Sequence, residues 1–323
     1  MNYATYPTML PMKNLTITAY CDGRPGHEKQ TLALIRALGR LTPVTAEKVR
    51  LAGAGSTDDE RMPPGAGHRQ GPPADLLIGS GRRTHPPLLL AKLKSRGRAR
   101  AICCMSPNIL LRGLFDLCLV PAHDGVRAGA NVFLTDGPPC LTTNQGRHEA
   151  NHSLLLIGGL DPKSHFWDQA QVVRQAKTLL DQSPDRHWTL SSSPRTPPAT
   201  VAELAQLAAT REGVQFCPAT ATPPGWIEEQ YERHREVWVT ADSISMVYEA
   251  LSAGCRVGIL PVKWRRRQNK FQRGLDQLRQ RGQIIYLAER LAGKKFPPAV
   301  APLVEAERCA KEILRRWWPE RLS

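Results

Sequence analysis

Between Val237 and Val262 the chain reads strand, turn, helix and strand in immediate succession, an order that belongs to a parallel sheet with crossover helices. Val237, Trp238 and Val239 favour a pleated strand, Asp242 is expected to cap the helix that follows, and Gly254 to stop it. Ile244, Val247, Tyr248 and Leu251 recur at helical spacing and supply its buried stripe. Asp242, Ser245 and Glu249 run along another edge. A helix N-terminus after a strand presents free amides and partial positive charge to an anion, so a diphosphate fits there. Glu249 stands about 9 Å further along the axis and leans back, within reach of the sugar of a nucleotide held by the first turn. The same residues also suit an ordinary sheet helix, with Asp242 a cap and Glu249 a solvated charge.

Length and charge narrow the setting. The 323 residues suffice for two domains, each with its own core. Forty-four Lys and Arg against 29 Asp and Glu leave +15, which draws the chain towards phosphates, acidic lipids or nucleic acid without choosing among them. Eight cysteines, none in a Cys-x-x-Cys pair and most beside apolar runs, read as buried thiols of a reducing compartment. The first residues lack a signal-peptide pattern, and no apolar run approaches the roughly 18 residues of a spanning helix. A cytoplasmic protein is expected, with any membrane contact peripheral.

In chain order, a loose leader (1–13) precedes a strand at Leu15–Tyr20, the loop Asp22-Gly23-Arg24-Pro25-Gly26-His27, and a helix carrying Leu34, Leu38 and Leu41. The glycines bend the loop and let backbone approach a ligand, while Asp22, Arg24 and His27 occupy a strand end, where open parallel sheets place their sites. Residues 52–74, rich in Gly, Pro and Ala, read as a surface loop. A buried-type strand then runs into Ser80-Gly81-Arg82-Arg83-Thr84, whose arginines either pair with an anion or stay solvated. Another strand runs into Pro121-Ala122-His123-Asp124, an acid–base pair or a hydrogen-bonded turn. The polar stretch 142–152 reads as the linker.

The architecture then repeats: a strand into Gly158-Gly159, a strand into Ser192-Ser193-Pro194-Arg195-Thr196-Pro197, and the unit around Asp242. After it comes the densest basic run, Lys263–Arg273, with Trp264 and Phe271 interleaved; it suits a solvated helix face or a footing on an anionic membrane. Two domains follow, 14–146 and 147–300, with residues 301–323 as a helix packing back across them.

Several of these loops together resemble the "elongated mitochondria" family of mitochondrial fission, whose bacterial members look like glycosyltransferases. The matching residues are Asp22–Gln30, Ile78–Thr84, Phe115-Asp116 with Pro121–Asp124, Ile157–Gly159, and Thr240–Met246 through Glu249-Ala250. The resemblance implies an α/β fold of two Rossmann-like doubly wound domains facing a cleft, the GT-B architecture. It implies a nucleotide-sugar donor in the second domain, contacted by Gly158, Gly159, Ser193, Arg195, Thr240, Asp242, Ser243, Ser245 and Glu249. The acceptor, a lipid-linked sugar or cell-envelope glycolipid such as a lipopolysaccharide core, belongs to the first domain, near Asp22, Arg24, Gly26, Arg82, Arg83 and His123. His27 is the implied base, with Asp124 in reserve, and neither metal nor further cofactor is implied. Where the family tends to have Ser-Arg-Arg-Thr-Pro, this chain has Ser193-Pro194-Arg195-Thr196-Pro197, one arginine fewer and one amide donor fewer.

Two other classes compete. A short-chain epimerase or reductase should carry Gly-x-Gly-x-x-Gly after the first strand and a Tyr-x-x-x-Lys pair, and neither occurs. An adaptor on the same scaffold, as in eukaryotic fission relatives, would instead use the basic run as its contact surface. No motif supports specific nucleic-acid recognition.

Overall fold

Continuous apolar runs bounded by Gly and Pro turns form parallel strands buried on both faces, and the amphipathic segments between them cover the sheets. The computed structural model of the chain describes residues 13–51, 73–266, 269–297 and 301–322. All but the last residues of the expected leader (1–13) and loop (52–74), as well as Arg267 and Gln268 of the basic run, lie outside the described residues. By internal contacts the chain forms two units: one comprises the residues up to Val120 with Ala128–Phe133 and the residues from Ala306 on, the other Pro121–Arg127 and Leu134–Glu305.

The first unit carries β1 (Leu15–Cys21), α1 (Pro25–Leu41), β2 (Val44–Arg50), β3 (Leu76–Ser80), α2 (His85–Lys94), β4 (Arg100–Cys104), α3 (Ile109–Arg112) and β5 (Leu117–Pro121), with β6 (Val132–Thr135) at its border. Its sheet runs β2-β1-β3-β4-β5-β6, and β1 to β5 are parallel. The order turns outward in both directions from β1 and β3, which makes their carboxyl ends a topological switch point. β2 was not legible in the sequence: it is a polar edge strand, held by seven register partners on β1 and by the Thr18 hydroxyl donating to Glu47 at 2.8 Å.

The second unit carries β7 (Glu149–Leu156), β8 (His165–Phe166), α4 (Gln169–Asp181), β9 (His187–Ser191), α5 (Pro198–Ala209), β10 (Val214–Cys217), α6 (Trp226–Arg233), β11 (His234–Thr240), α7 (Ile244–Ser252), β12 (Arg256–Leu260), β13 (Lys263–Trp264), α8 (Lys270–Gln280), β14 (Ile284–Tyr286) and α9 (Leu287–Leu291). The last helix, α10 (Glu305–Trp317), belongs almost wholly to the first unit and buries Ala306, Cys309, Ala310, Ile313 and Leu314. The second sheet is parallel throughout, in the order β10-β9-β7-β11-β12-β14. Counted along the unit this is 3-2-1-4-5-6, the Rossmann order, with its switch point between β7 and β11.

Alternation along those two strands splits the core. Leu154, Leu156, Val237 and Val239 face one cluster with Val247, Tyr248, Leu251 and Leu275, while Leu155, Ile157 and Trp238 face another with Val172, Leu179, Leu190 and Leu204. The basic run contains the helix that its default reading expects, α8, capped by the Asn269 side chain accepting from the Gln272 amide at 2.9 Å. Two expectations need correction. The linker expected at 142–152 ends in strand, because Glu149 pairs with His234 and His152 with His187, so sheet pairing overrides a polar composition. Asp242 is not the cap of α7; that position is Ser243, and the Asp242 carboxylate turns elsewhere.

Candidate functional site

At the second switch point three strand ends converge on one carboxylate. The Gly158 amide donates to the Thr240 hydroxyl at 2.7 Å, tying the end of β7 to the end of β11. Asp242 Oδ2 accepts from the Gly159 amide at 3.1 Å, from Arg195 Nη2 at 3.0 Å and from the Ser243 hydroxyl at 3.2 Å. The Asp242 side chain is fully buried, and its Oδ1 has no hydrogen-bond partner among the described residues. Arg195 also donates through Nη1 to the carbonyls of Gly159 and Leu160, both at 3.3 Å, yet stays 43% exposed. Part of a guanidinium, a group suited to planar anions, is thereby left open to solvent.

The glycines serve the protein before any ligand. A Cβ at Gly158 would overlap the Asp242 carboxylate, and one at Gly159 the backbone of Arg195 and Thr196. The loop after β9 packs on them through Thr196, whose hydroxyl bonds the carbonyls of Ile157 and Gly158, and through Ser193, whose amide donates to the Thr196 hydroxyl at 2.8 Å. Thr240, Ser193 and Ser243 are therefore buried and bonded internally. The part of this cluster open to solvent is the first turn of α7, where Ser245 is exposed and the first amides have no partner within the helix. Glu249 is half-buried on the same helix; the Tyr231 hydroxyl donates to its Oε2 at 3.4 Å.

At the first switch point an acid–base pair replaces the ion pair. His27 occupies the third position of α1, and its Nδ1 donates to Asp22 Oδ2 at 2.9 Å. Asp22 Oδ1 accepts from the Arg24 amide at 3.2 Å, which fixes the carboxylate at the end of β1. Asp22 is 2% exposed at its side chain and His27 19%, so the buried carboxylate orients the ring and leaves Nε2 on the more open side. Gly81, with φ +90°, lies against this pair: a Cβ there would overlap the His27 ring. Arg82 and Arg83 project exposed from the same turn, as do Arg24 and Gly26 from the start of α1. Asp22, expected to contact acceptor or phosphate, is thus buried against His27; its spacing of five residues across a strand-to-helix turn was the missed signal.

Two further expected residues have partners of their own. His123 and Asp124 belong by contact to the second unit; the His123 ring stacks on Tyr248 at 5.8 Å, and its Nδ1 lies 3.1 Å from the Tyr248 hydroxyl. Burial lowers the His123 pKa, and the side chain is 11% exposed, which suits packing better than ligand contact. In the basic run the rings turn inward: Trp264 packs against the apolar core and stacks on Phe271 at 6.3 Å, and Arg265 covers the Phe166 ring at 4.1 Å. What stays at the surface there is charge, with the half-exposed Phe166 ring lying under Lys263 and Arg265. Among the described residues no group of three or more His, Cys, Asp or Glu could hold a metal ion, and no helix is long and apolar enough to cross a membrane.

Comparison with known proteins gives three results. The profile of the family described as "Mitochondrial fission ELM1" matches residues 25–317. No protein of curated function matches by sequence. Solved structures share the fold at low identity. A Listeria monocytogenes protein described as a UDP-N-acetylglucosamine 2-epimerase is 13% identical with a TM-score of 0.62, the alignment covering 94% of this chain and 95% of that one. The UDP-GlcNAc 2-epimerase of Methanocaldococcus jannaschii is 13% identical at 0.55, over 94% and 100%. Phytolacca americana UGT2, complexed with UDP-2-fluoro-glucose and pterostilbene, is 9% identical at 0.50, over 95% and 91%. The fold is therefore that of the GT-B glycosyltransferases and epimerases.

Proposed function

Because the chain belongs to the mitochondrial fission ELM1 family, we propose that it is a sugar-nucleotide enzyme of the GT-B kind, a glycosyltransferase moving a sugar from a nucleotide-sugar donor to an acceptor hydroxyl. The observation that carries this reading is the second switch point, where Arg195 stands half-solvated beside the open first turn of α7. A diphosphate bound there accepts from the amides of Ile244 and Ser245 and draws on the Arg195 guanidinium. These groups stabilise the charge that grows as the bond between the anomeric carbon and the diphosphate breaks. Glu249 binds the ribose hydroxyls. UDP and UDP-sugars in the structurally similar proteins support a nucleotide of this class.

His27 is the base of this reading. Its Nε2 takes the proton of the acceptor hydroxyl, and Asp22 holds the ring in the tautomer that permits this and stabilises the imidazolium. Arg82, Arg83 and Arg24 offer an anionic acceptor, such as a lipid-linked or envelope glycolipid, three exposed cations beside the base. A second reading, an adaptor on the same scaffold, has the fission description of the family in its favour. A thermal-shift screen against UDP, GDP, ADP and CMP sugars separates the two: stabilisation by one donor supports the enzyme, and stabilisation by none supports the adaptor.

A further inference from the structure

Between Gly81 and Asp116 the chain carries eight Lys or Arg and no Asp or Glu. The same segment holds the most exposed aliphatic side chains among the described residues of the first unit: Leu110 is 84% exposed, Leu93 75%, Ile109 74%, Leu114 52% and Leu90 51%. None of this exposure serves the core, which α2 meets through His85 and Leu88.

The placement follows from the fold. α2 and α3 follow successive parallel strands, β3 and β4, and right-handed crossovers set them on the same face of the sheet. Lys92 ties the two together, donating to the Leu114 carbonyl at 2.8 Å and pairing with Asp116 at 2.8 Å. Asn108 caps α3 by accepting from the Leu110 amide at 3.1 Å, so Ile109 and Leu110 stand out at the loop tip. Lys94, Arg96 and Arg98 are exposed at the end of α2 and in its turn. Asp116, which closes the segment, is occupied by Lys92 and by Arg100 at 3.6 Å.

Aliphatic tips ringed by cations of a single sign do not match a protein interface, whose centre is depleted of charge. They match a bilayer with anionic headgroups: the leucines enter the acyl boundary and the long basic side chains stay at headgroup level. We propose that the α2–α3 face of the first unit is the protein's footing on an anionic membrane. In the expected footing, the run at 263–273, Trp264 and Phe271 pack on each other and the one exposed ring beside its described residues, Phe166, is covered by Arg265, so it offers far less aliphatic surface than the α2–α3 face. The inference stands apart from the nucleotide site, since vesicle binding needs no nucleotide and either can fail alone.

Co-sedimentation of the full chain tests it, with vesicles of phosphatidylcholine alone and of phosphatidylcholine mixed with phosphatidylglycerol. The protein binds the anionic vesicles, releases them as salt is raised, and ignores the neutral ones. Leu93→Glu combined with Leu110→Glu lowers vesicle affinity more than about tenfold at unchanged melting temperature. Arg96→Glu with Arg98→Glu, in an exposed turn, does the same, whereas Arg265→Glu with Arg266→Glu leaves binding within about twofold. Absence of anionic binding, equal binding to neutral vesicles, or full binding by both α2–α3 variants overturns the proposal. So does a dimer, seen by light scattering, that the double leucine variant dissociates.

Discussion

Arg195 and Asp242 meet at 3.0 Å with the carboxylate fully buried and the guanidinium 43% exposed, so one partner depends on the other far more than the reverse. Removing the cation leaves Asp242 Oδ2 with the Gly159 amide and the Ser243 hydroxyl alone, beside an Oδ1 that already lacks a partner. Arg195→Ala is expected to cost about 1–3 kcal/mol in urea unfolding, the range for a buried polar group losing a partner. Arg195→Lys, which keeps the charge but not the fork, should fall between this variant and the wild type.

The glycines of the two sites divide by what surrounds them. Gly159→Ala drives a methyl group into the Arg195 backbone and should destabilise by about 1–3 kcal/mol or more, the range for overpacking, as should Gly158→Ala. Gly26 has open space where a Cβ would go and lies in the first turn of α1, so Gly26→Ala should leave stability equal or raise it by up to about 1 kcal/mol. Thermal melts of the three variants check this, and a destabilised Gly26→Ala would contradict the geometry.

For the acid–base pair, His27→Ala should lower transfer with the donor found in the screen by about 100-fold to 10,000-fold. Asp22→Asn keeps the shape but allows the wrong tautomer, so it should cut turnover without changing donor affinity. Steady-state rates alongside donor titrations separate these effects; an active His27→Ala variant would remove the base from the account.

Stability should fall in mild acid. His234 is 2% exposed, between Gln230, which accepts from its Nδ1 at 2.8 Å, and Thr189, while the His152 ring meets it edge-on at 6.0 Å. Burial, with a smaller contribution from His152, lowers its pKa from 6.5 to about 4. A histidine held below its unfolded value contributes stability in full above pH about 6.5 and loses it as pH falls towards about 4, at most roughly 3 kcal/mol. Urea midpoints between pH 7.5 and 4.5 should show the decline, and His234→Gln should flatten it.

The repeated strand-to-helix units were legible because apolar runs such as Leu76–Ser80 and Val237–Thr240 admit few other readings, and so was the two-sheet architecture. β2 was hidden because an edge strand with solvated faces has no apolar signature, and the start of β7 because its polar residues are held by neighbours distant in sequence. At the sites the residue types were visible but their partners were not. Asp242 reads as a helix cap from its position; only the closeness of β7 to β11 turns it to Gly159 and Arg195. Glu249 was singled out from helical spacing, whereas the Tyr231 hydroxyl beside it comes from a separate helix, α6.

In the proposed function the open turn of α7 takes a diphosphate and Glu249 the ribose attached to it. Calorimetric titration of nucleoside diphosphates into the wild type and into Glu249→Ala checks both at once. One nucleoside diphosphate is expected to saturate a single site, and Glu249→Ala to weaken it about tenfold or more through loss of charge-assisted hydrogen bonds, with the melting temperature of the free protein kept. Saturation by none of them, or equal affinity in the variant, would contradict it.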